Sequence, residues 1–244
     1  MFIETMEKGQ FKTEINPPIF LVNYKAYPQA IGENAIALTE AIEDVAQSFK
    51  DITFIIAPQP SDIRLLRNIV QEVLIFGQHA DPIEPGAHTG HILLEALKES
   101  GIAGLMINHS ERQLNMKSIE FLVRKAADLG LLSCVCADTP EKSKQVAGFL
   151  PNFVAFEPPE LIGTGISVSK AKPELLKRSV EAILDGGGGK VVPLCGAGIS
   201  TPEDVKKAFE LGARGILVAS AIVKSKDPYK ITLSMAEAIE ESIL

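Results

Sequence analysis

The 244-residue sequence has no tryptophan, only three tyrosines and three cysteines, and no excess of positive charge. Each shortage excludes something. Cys134, Cys136 and Cys195 are too few, and odd in number, for a disulfide framework in a chain of this length, which points to a reducing compartment. With 24 basic against 31 acidic side chains, the net charge of −7 argues against nonspecific binding to nucleic acid or to acidic membranes. No apolar run reaches the ~18 residues needed to span a bilayer, and Glu4 and Glu7 do not fit the basic start of a signal peptide. A cytoplasmic protein without nucleic-acid or membrane partners is expected.

Against these absences stands a hydrophobic fraction of 46 %, ample for one sizeable core. It is organised as short aliphatic runs alternating with longer segments of helical period. Eight runs read as buried strands: Ile19 to Asn23, Ile52 to Ala57, Val73 to Gly77, Ala103 to Ile107, Leu132 to Cys136, Phe153 to Phe156, Lys190 to Leu194 and Gly215 to Ala219. Between them, Ala35, Leu38, Ile42, Val45 and Phe49 share one helical face, as do Ile119, Leu122, Val123, Ala126 and Leu129. Thr201-Pro202-Glu203-Asp204 has the form of a helix start, and Gly130 and Gly212 have the form of helix stops.

Eight strands, each followed by a helix, predict a single α/β domain with a closed (β/α)8 barrel over residues 17–244. Residues 1–16 precede Pro17-Pro18 and read as an N-terminal extension outside it. The run Gly186 to Gly189 reads as a flexible loop entering the seventh strand, at the end of the barrel away from chemistry.

In such a barrel the active site is built by the loops after the strands. That filter selects Asn23-Tyr24-Lys25 after strand one, Asn108 to Arg112 after strand four and Glu157 to Gly165 after strand six. It also selects Cys195 to Ser200 after strand seven and Ala219-Ser220-Ala221 after strand eight. A lysine, a histidine and a glutamate converge on one mouth. Singly, each has an ordinary alternative: a solvated surface charge, a cap, a loop residue. Gly196 and Gly198 let backbone approach a ligand, and the helix starting near Thr201 offers N–H groups to an anion, although a pair of tight turns has the same composition.

The segments Asn23-Tyr24-Lys25-Ala26-Tyr27-Pro28, His109-Ser110-Glu111-Arg112 and Glu157-Pro158-Pro159-Glu160-Leu161-Ile162-Gly163-Thr164-Gly165 resemble the triosephosphate isomerase family, in the form of its short archaeal branch. The resemblance runs from about Ile19 to the C-terminus. It implies interconversion of glyceraldehyde 3-phosphate and dihydroxyacetone phosphate through an enediolate, in glycolysis and gluconeogenesis, with no cofactor and no metal. Glu157 is implied as the general base and His109 as the electrophile, made neutral by the helix beginning near Ser110. Lys25 is implied as the charge for oxyanion and phosphate, with Asn23 donating a hydrogen bond beside it. Glu111 would orient this cluster. Ile162 and Gly163 would belong to a lid over the phosphate, whose cradle Gly198, Ala219 and Ser220 complete. A homodimer or homotetramer is implied, with Thr89 on the loop Pro82 to Gly90 buttressing Asn23 and Lys25 across the interface.

The lid departs from the common family pattern at Pro159 and Glu160, the strand-seven loop at Ala197 and the strand-eight loop at Ala219-Ser220. A Schiff-base lyase would want a lysine near the end of strand six, where Glu157 stands. A non-catalytic barrel would be expected to lack one of Lys25, His109 and Glu157. His88-x-x-His91 has zinc-like spacing, but no cysteine or carboxylate completes the set. Cys134-x-Cys136 reads as two small buried residues on one strand face.

Overall fold

The computed structural model describes residue 15, residues 17–158 and residues 167–243. Its strands are β1 (Ile19–Asn23), β2 (Thr53–Ala57), β3 (Leu74–Gly77), β4 (Gly104–Ile107), β5 (Leu132–Ala137), β6 (Phe153–Phe156), β7 (Val192–Cys195) and β8 (Gly215–Val218). All pair in parallel in chain order, and β8 returns to β1 with Ile19 beside Gly215, so the sheet closes on itself. Around it run α1 (Glu33–Ala46), α2 (Ile63–Arg67), α3 (Leu94–Glu99), α4 (Met116–Asp128) and α5 (Pro140–Ala147). These are followed by α6 (Val168–Ala171), α7 (Pro173–Gly186), α8 (Pro202–Glu210), α9 (Ser220–Val223) and α10 (Pro228–Ile243). The N-terminal extension lies outside the described residues apart from Ile15.

Because a strand sends successive side chains to opposite faces, each apolar run fills two cores at once. Inward, Leu21, Ile55, Phe76, Met106, Cys134, Cys136 and Phe153 pack the barrel interior. Outward, Phe20, Val22, Phe54, Ile56 and Ile75 pack against the helices. The rings of Phe76 and Phe153 lie 6.4 Å apart inside the barrel, and a Cβ at Gly104 would overlap the Phe76 ring. Gly104 is therefore a steric requirement of the interior.

The expected strands are present, with shifted ends. β7 starts at Val192 because the Lys190 N–H still donates to the Gly187 carbonyl in the turn that ends α7. The glycine run is not a flexible loop. Gly186 is the last residue of α7, where a Cβ would overlap the Lys144 carbonyl of α5, and Gly188 and Gly189 hold φ of +56° and +74°. α8 starts as expected, with Thr201 and Asp204 capping each other and Pro202 at the first position.

The segment after β3 leaves the barrel as a protrusion whose residues 84–91 are all exposed. Its base is pinched shut. The Asp81 N–H donates to the Ile92 carbonyl at 2.8 Å, and the Ile92 N–H donates to Asp81 Oδ2 at 2.7 Å. Asp81 Oδ1 meets His79 Nε2 and the Arg112 guanidinium, both at 3.1 Å. Lys125 of α4 adds a second tie, reaching the Ile83 carbonyl, Glu84 and Glu95.

Burial opposes the Asp81 charge, but the Ile92 N–H, His79 and Arg112 outweigh it and hold the carboxyl at about 2. The folded value lies below the ordinary value of 3.8, so this group's stabilisation is complete above that pH and is lost as the pH falls through 2. A shift of this size corresponds to about 2 kcal/mol, several degrees in a domain of this length. Asp81→Asn should lower the thermal midpoint by that much at pH 7, and scans between pH 4 and pH 2 should show variant and wild type converging. A gap that stays constant with pH would show that the charge is not its source.

Candidate active site

β6 delivers Glu157 to the mouth of the barrel. Its N–H extends the ladder to the Ala137 carbonyl at 2.8 Å, and its side chain is 5 % exposed. The room it occupies is opened by Gly196, directly after β7, where a Cβ would overlap the Glu157 side chain. Gly196 thus makes room for the carboxylate, a role that depends on a residue distant in sequence. Cys136 lies on the other side. Burial first, and then the negative charge of Glu157, push its thiol well above the ordinary range.

His109 Nε2 stands 3.6 Å from Glu157 Oε2. Both atoms are buried and have no hydrogen-bond partner among the described residues. The element after His109 is a single 3-10 turn, Ser110–Arg112, and α4 starts only at Met116. The expected helix at Ser110 is replaced by a direct bond in which the Glu111 N–H donates to His109 Nδ1 at 3.2 Å. An acceptor at Nδ1 leaves the ring proton of neutral imidazole on Nε2, facing Glu157. Asn108 shapes this turn: it holds φ at +63°, donates to the Cys136 carbonyl at 2.8 Å and accepts from the Leu114 N–H at 2.9 Å.

Lys25 follows β1 with φ of +50°. Its N–H donates to Asn23 Oδ1 at 2.9 Å, and its Nζ meets Glu111 Oε1 at 2.9 Å. The expected grouping of Asn23, Lys25, His109, Glu111 and Glu157 is therefore present. Sequence reasoning missed Gln59 and Gln78, whose amide nitrogens lie 2.8 and 2.9 Å from the Lys25 carbonyl. The available signal was two polar residues just beyond β2 and β3. It also missed Tyr27 and Lys224 at the rim, where Lys224 Nζ sits 4.1 Å from the Tyr27 ring centre in a cation–π contact.

One cavity is lined by Lys25, Tyr27, Glu157, Gly198, Ala219 and Ser220. Ala197 and Gly198 hold φ of +63° and +73° in the β7 loop. The N-terminus of α8 is not open to an anion, contrary to the expectation from sequence, because the Ser200 and Thr201 N–H groups both donate to Asp204 Oδ2 at 3.0 Å. α9 differs. It begins at Ser220 with Ala219 as its cap and no side chain caps it; the Ile222 and Val223 N–H groups donate to the Ala219 carbonyl, which leaves those of Ser220 and Ala221 for a ligand. Ile162 and Gly163, with Pro159 and Glu160, lie outside the described residues. Thr89 belongs to the exposed run after β3.

Among the described residues, no group of three or more histidine, cysteine or acidic side chains could hold a metal ion. His88 and His91 meet edge to face, with ring centres 5.6 Å apart.

Residues 18–238 match the family model described as triosephosphate isomerase. The chain is 44 % identical over 225 residues to a triosephosphate isomerase of Methanobrevibacter smithii, covering 92 % of this chain and all of that protein. It is also 44 % identical to that of Methanocaldococcus jannaschii, over 92 % of this chain and 98 % of the relative. For Sulfurisphaera tokodaii the identity is 45 %, over 89 % and 93 %. The crystal structure of triosephosphate isomerase from Bartonella henselae superposes with a TM-score of 0.71 at 20 % identity, covering 93 % of this chain and all of that one, a likeness of fold alone. With the barrel closed and its family match spanning nearly the whole of it, the chain belongs to the triosephosphate isomerase family.

Proposed function

We propose that the chain interconverts glyceraldehyde 3-phosphate and dihydroxyacetone phosphate through an enediolate. The observation that carries this reading is the juxtaposition of Glu157 Oε2 and His109 Nε2, 3.6 Å apart, buried and otherwise unpartnered among the described residues. A carboxylate and an imidazole N–H left open at one point suit proton abstraction next to a carbonyl. Glu157 takes the proton from C2 of the aldose and returns it to C1, while the electron pair moves onto the carbonyl oxygen. His109 donates its Nε2 proton towards that oxygen and moves a proton between O1 and O2. Lys25 stabilises the developing oxyanion and the phosphate, and Asn23, its oxygen committed to the Lys25 N–H, offers its NH2 group. The phosphate would rest on backbone donors of Gly198 and Ser220 beside Ala219, with Ile162 and Gly163 of the lid closing over it.

An assay coupled to consumption of dihydroxyacetone phosphate should show turnover of glyceraldehyde 3-phosphate. Glu157→Asp withdraws the carboxylate by one methylene, and a displacement on the order of 1 Å costs about a hundredfold in rate. Inorganic phosphate affinity should be preserved. Wild-type turnover in Glu157→Asp would remove Glu157 from the role of base. Gly196→Ala tests the same assignment from the neighbouring strand: its Cβ would displace the carboxylate, and a folded variant should lose at least about tenfold in turnover.

Self-association as a homodimer or homotetramer belongs to the same reading. The pinched, fully exposed run 84–91 is a protrusion suited to a pocket on a second copy, where Thr89 would approach the partner's catalytic lysine. Shortening residues 83–88 should shift sedimentation towards monomer and remove most turnover. A fully active monomer would disprove the coupling. We also assign the enzyme to the cytoplasm, a reading supported by three buried free thiols. Among the described residues, no helix is long and apolar enough to cross a membrane.

A further inference from the structure

Lys25 presents a physical problem. A non-glycine residue at φ of +50° is strained, and such a residue persists only where its surroundings over-determine it. Its N–H is taken by Asn23 Oδ1, but the peptide beyond it must also be held in the turned position.

We propose that Gln59 and Gln78 form a clamp on the Lys25 carbonyl and are positioning residues for the lysine. The hydrogen bonds close completely. Gln59 Nε2 has one hydrogen for the Lys25 carbonyl, at 2.8 Å, and one for Gln78 Oε1, at 3.1 Å. Gln78 Nε2 has one for the Lys25 carbonyl, at 2.9 Å, and one for the Ala57 carbonyl, at 2.9 Å. Four amide hydrogens make four bonds to three acceptor oxygens, the Lys25 carbonyl receiving two, which is the full donor capacity of two glutamines. The orientation of Gln78 follows from chemistry: it faces two carbonyl oxygens, so its nitrogen must point at them. The Ala57 carbonyl also receives the Tyr24 N–H at 3.0 Å, which ties the clamp to the residue before the lysine.

Glu111 holds the other end of the lysine at Nζ. Lys25 is thus fixed at its N–H, its carbonyl and its ammonium by loops after β1, β2, β3 and β4. Side-chain rotation alone would let Nζ swing through several ångströms, and an ion pair to an exposed carboxylate is a weak restraint. Clamping the peptide fixes the origin and direction of the side chain, so that the Glu111 contact has only the remaining rotation to restrain.

The inference rests on the proposed role of Lys25 for its effect on activity, so its test has one arm that needs no activity. In Gln59→Leu, in Gln78→Leu and in the pair, NMR should show faster exchange of the Lys25 amide, a changed Lys25 amide shift and weakened coupling of its ammonium to Glu111. The second arm is a cycle of kcat/KM measurements. Gln59→Leu should cost about tenfold and the pair about a hundredfold, whereas in a Lys25→Ala background the same substitutions should cost almost nothing. A merely structural role would lower activity and thermal midpoint equally in both backgrounds. Unchanged Lys25 signals in any folded variant, or losses that add in full to that of Lys25→Ala, would overturn the clamp. If the wild type fails to isomerise triose phosphate while the Lys25 signals still respond, the functional reading falls and the clamp stands.

Discussion

A carboxylate buried at the end of β6 is the constraint to which the mouth of this barrel conforms. Glu157 is 5 % exposed, and one of its oxygens has no hydrogen-bond partner among the described residues. Leaving a charged group in that condition is costly unless neighbours compensate or a ligand does so. The compensation here is partial and local: an imidazole nitrogen at 3.6 Å and a glycine that vacates its Cβ position. They stand just beyond β4 and β7, on either side of β6 in the same sheet, so the strand order brings them to Glu157. The phenylalanine-filled interior below makes those strand ends rigid.

Strain is concentrated at the same place. Of the four non-glycine residues with positive φ among those described, Lys25, Asn108 and Ala197 stand just beyond strand ends at the mouth, and only Leu150 lies elsewhere. Each is held by specific bonds, Lys25 by amides on both sides of its backbone and Asn108 by its own side chain. Such conformations aim groups that regular strand geometry would send outward, and they are stable because the surrounding loops offer no alternative partner.

The strands were legible because parallel strands covered on both faces must be continuously apolar, and the catalytic positions because a barrel assigns chemistry to strand C-terminal ends. What was not legible depends on partners distant in sequence. In sequence Gly196 reads as room for a ligand or as a tight turn, and only the fold shows Glu157, 39 residues earlier, filling the space beside it. Gln59 and Gln78 carry no motif, since their meaning lies in a carbonyl that turns towards them only at an unusual φ. The α8 start is more instructive still. Thr201 and Asp204 marked the helix correctly, yet the same Asp204 carboxylate consumes the N–H groups that an exposed helix start would have offered to an anion.

Electrostatics at the mouth must work against the rest of the molecule, whose net charge is −7. A phosphorylated substrate would be repelled at long range, so attraction has to be local and directional. The Lys25–Glu111 pair achieves this through unequal exposure. The Lys25 side chain is 10 % exposed and the Glu111 side chain 58 % exposed, so water screens the anion far more than the cation. The pair therefore orients the lysine without cancelling its field inside the cavity. Lys224, which ends α9, is stacked on Tyr27, a residue of the cavity lining. The positive field of Lys25 would therefore act over the few ångströms in which a phosphate is turned towards Glu157.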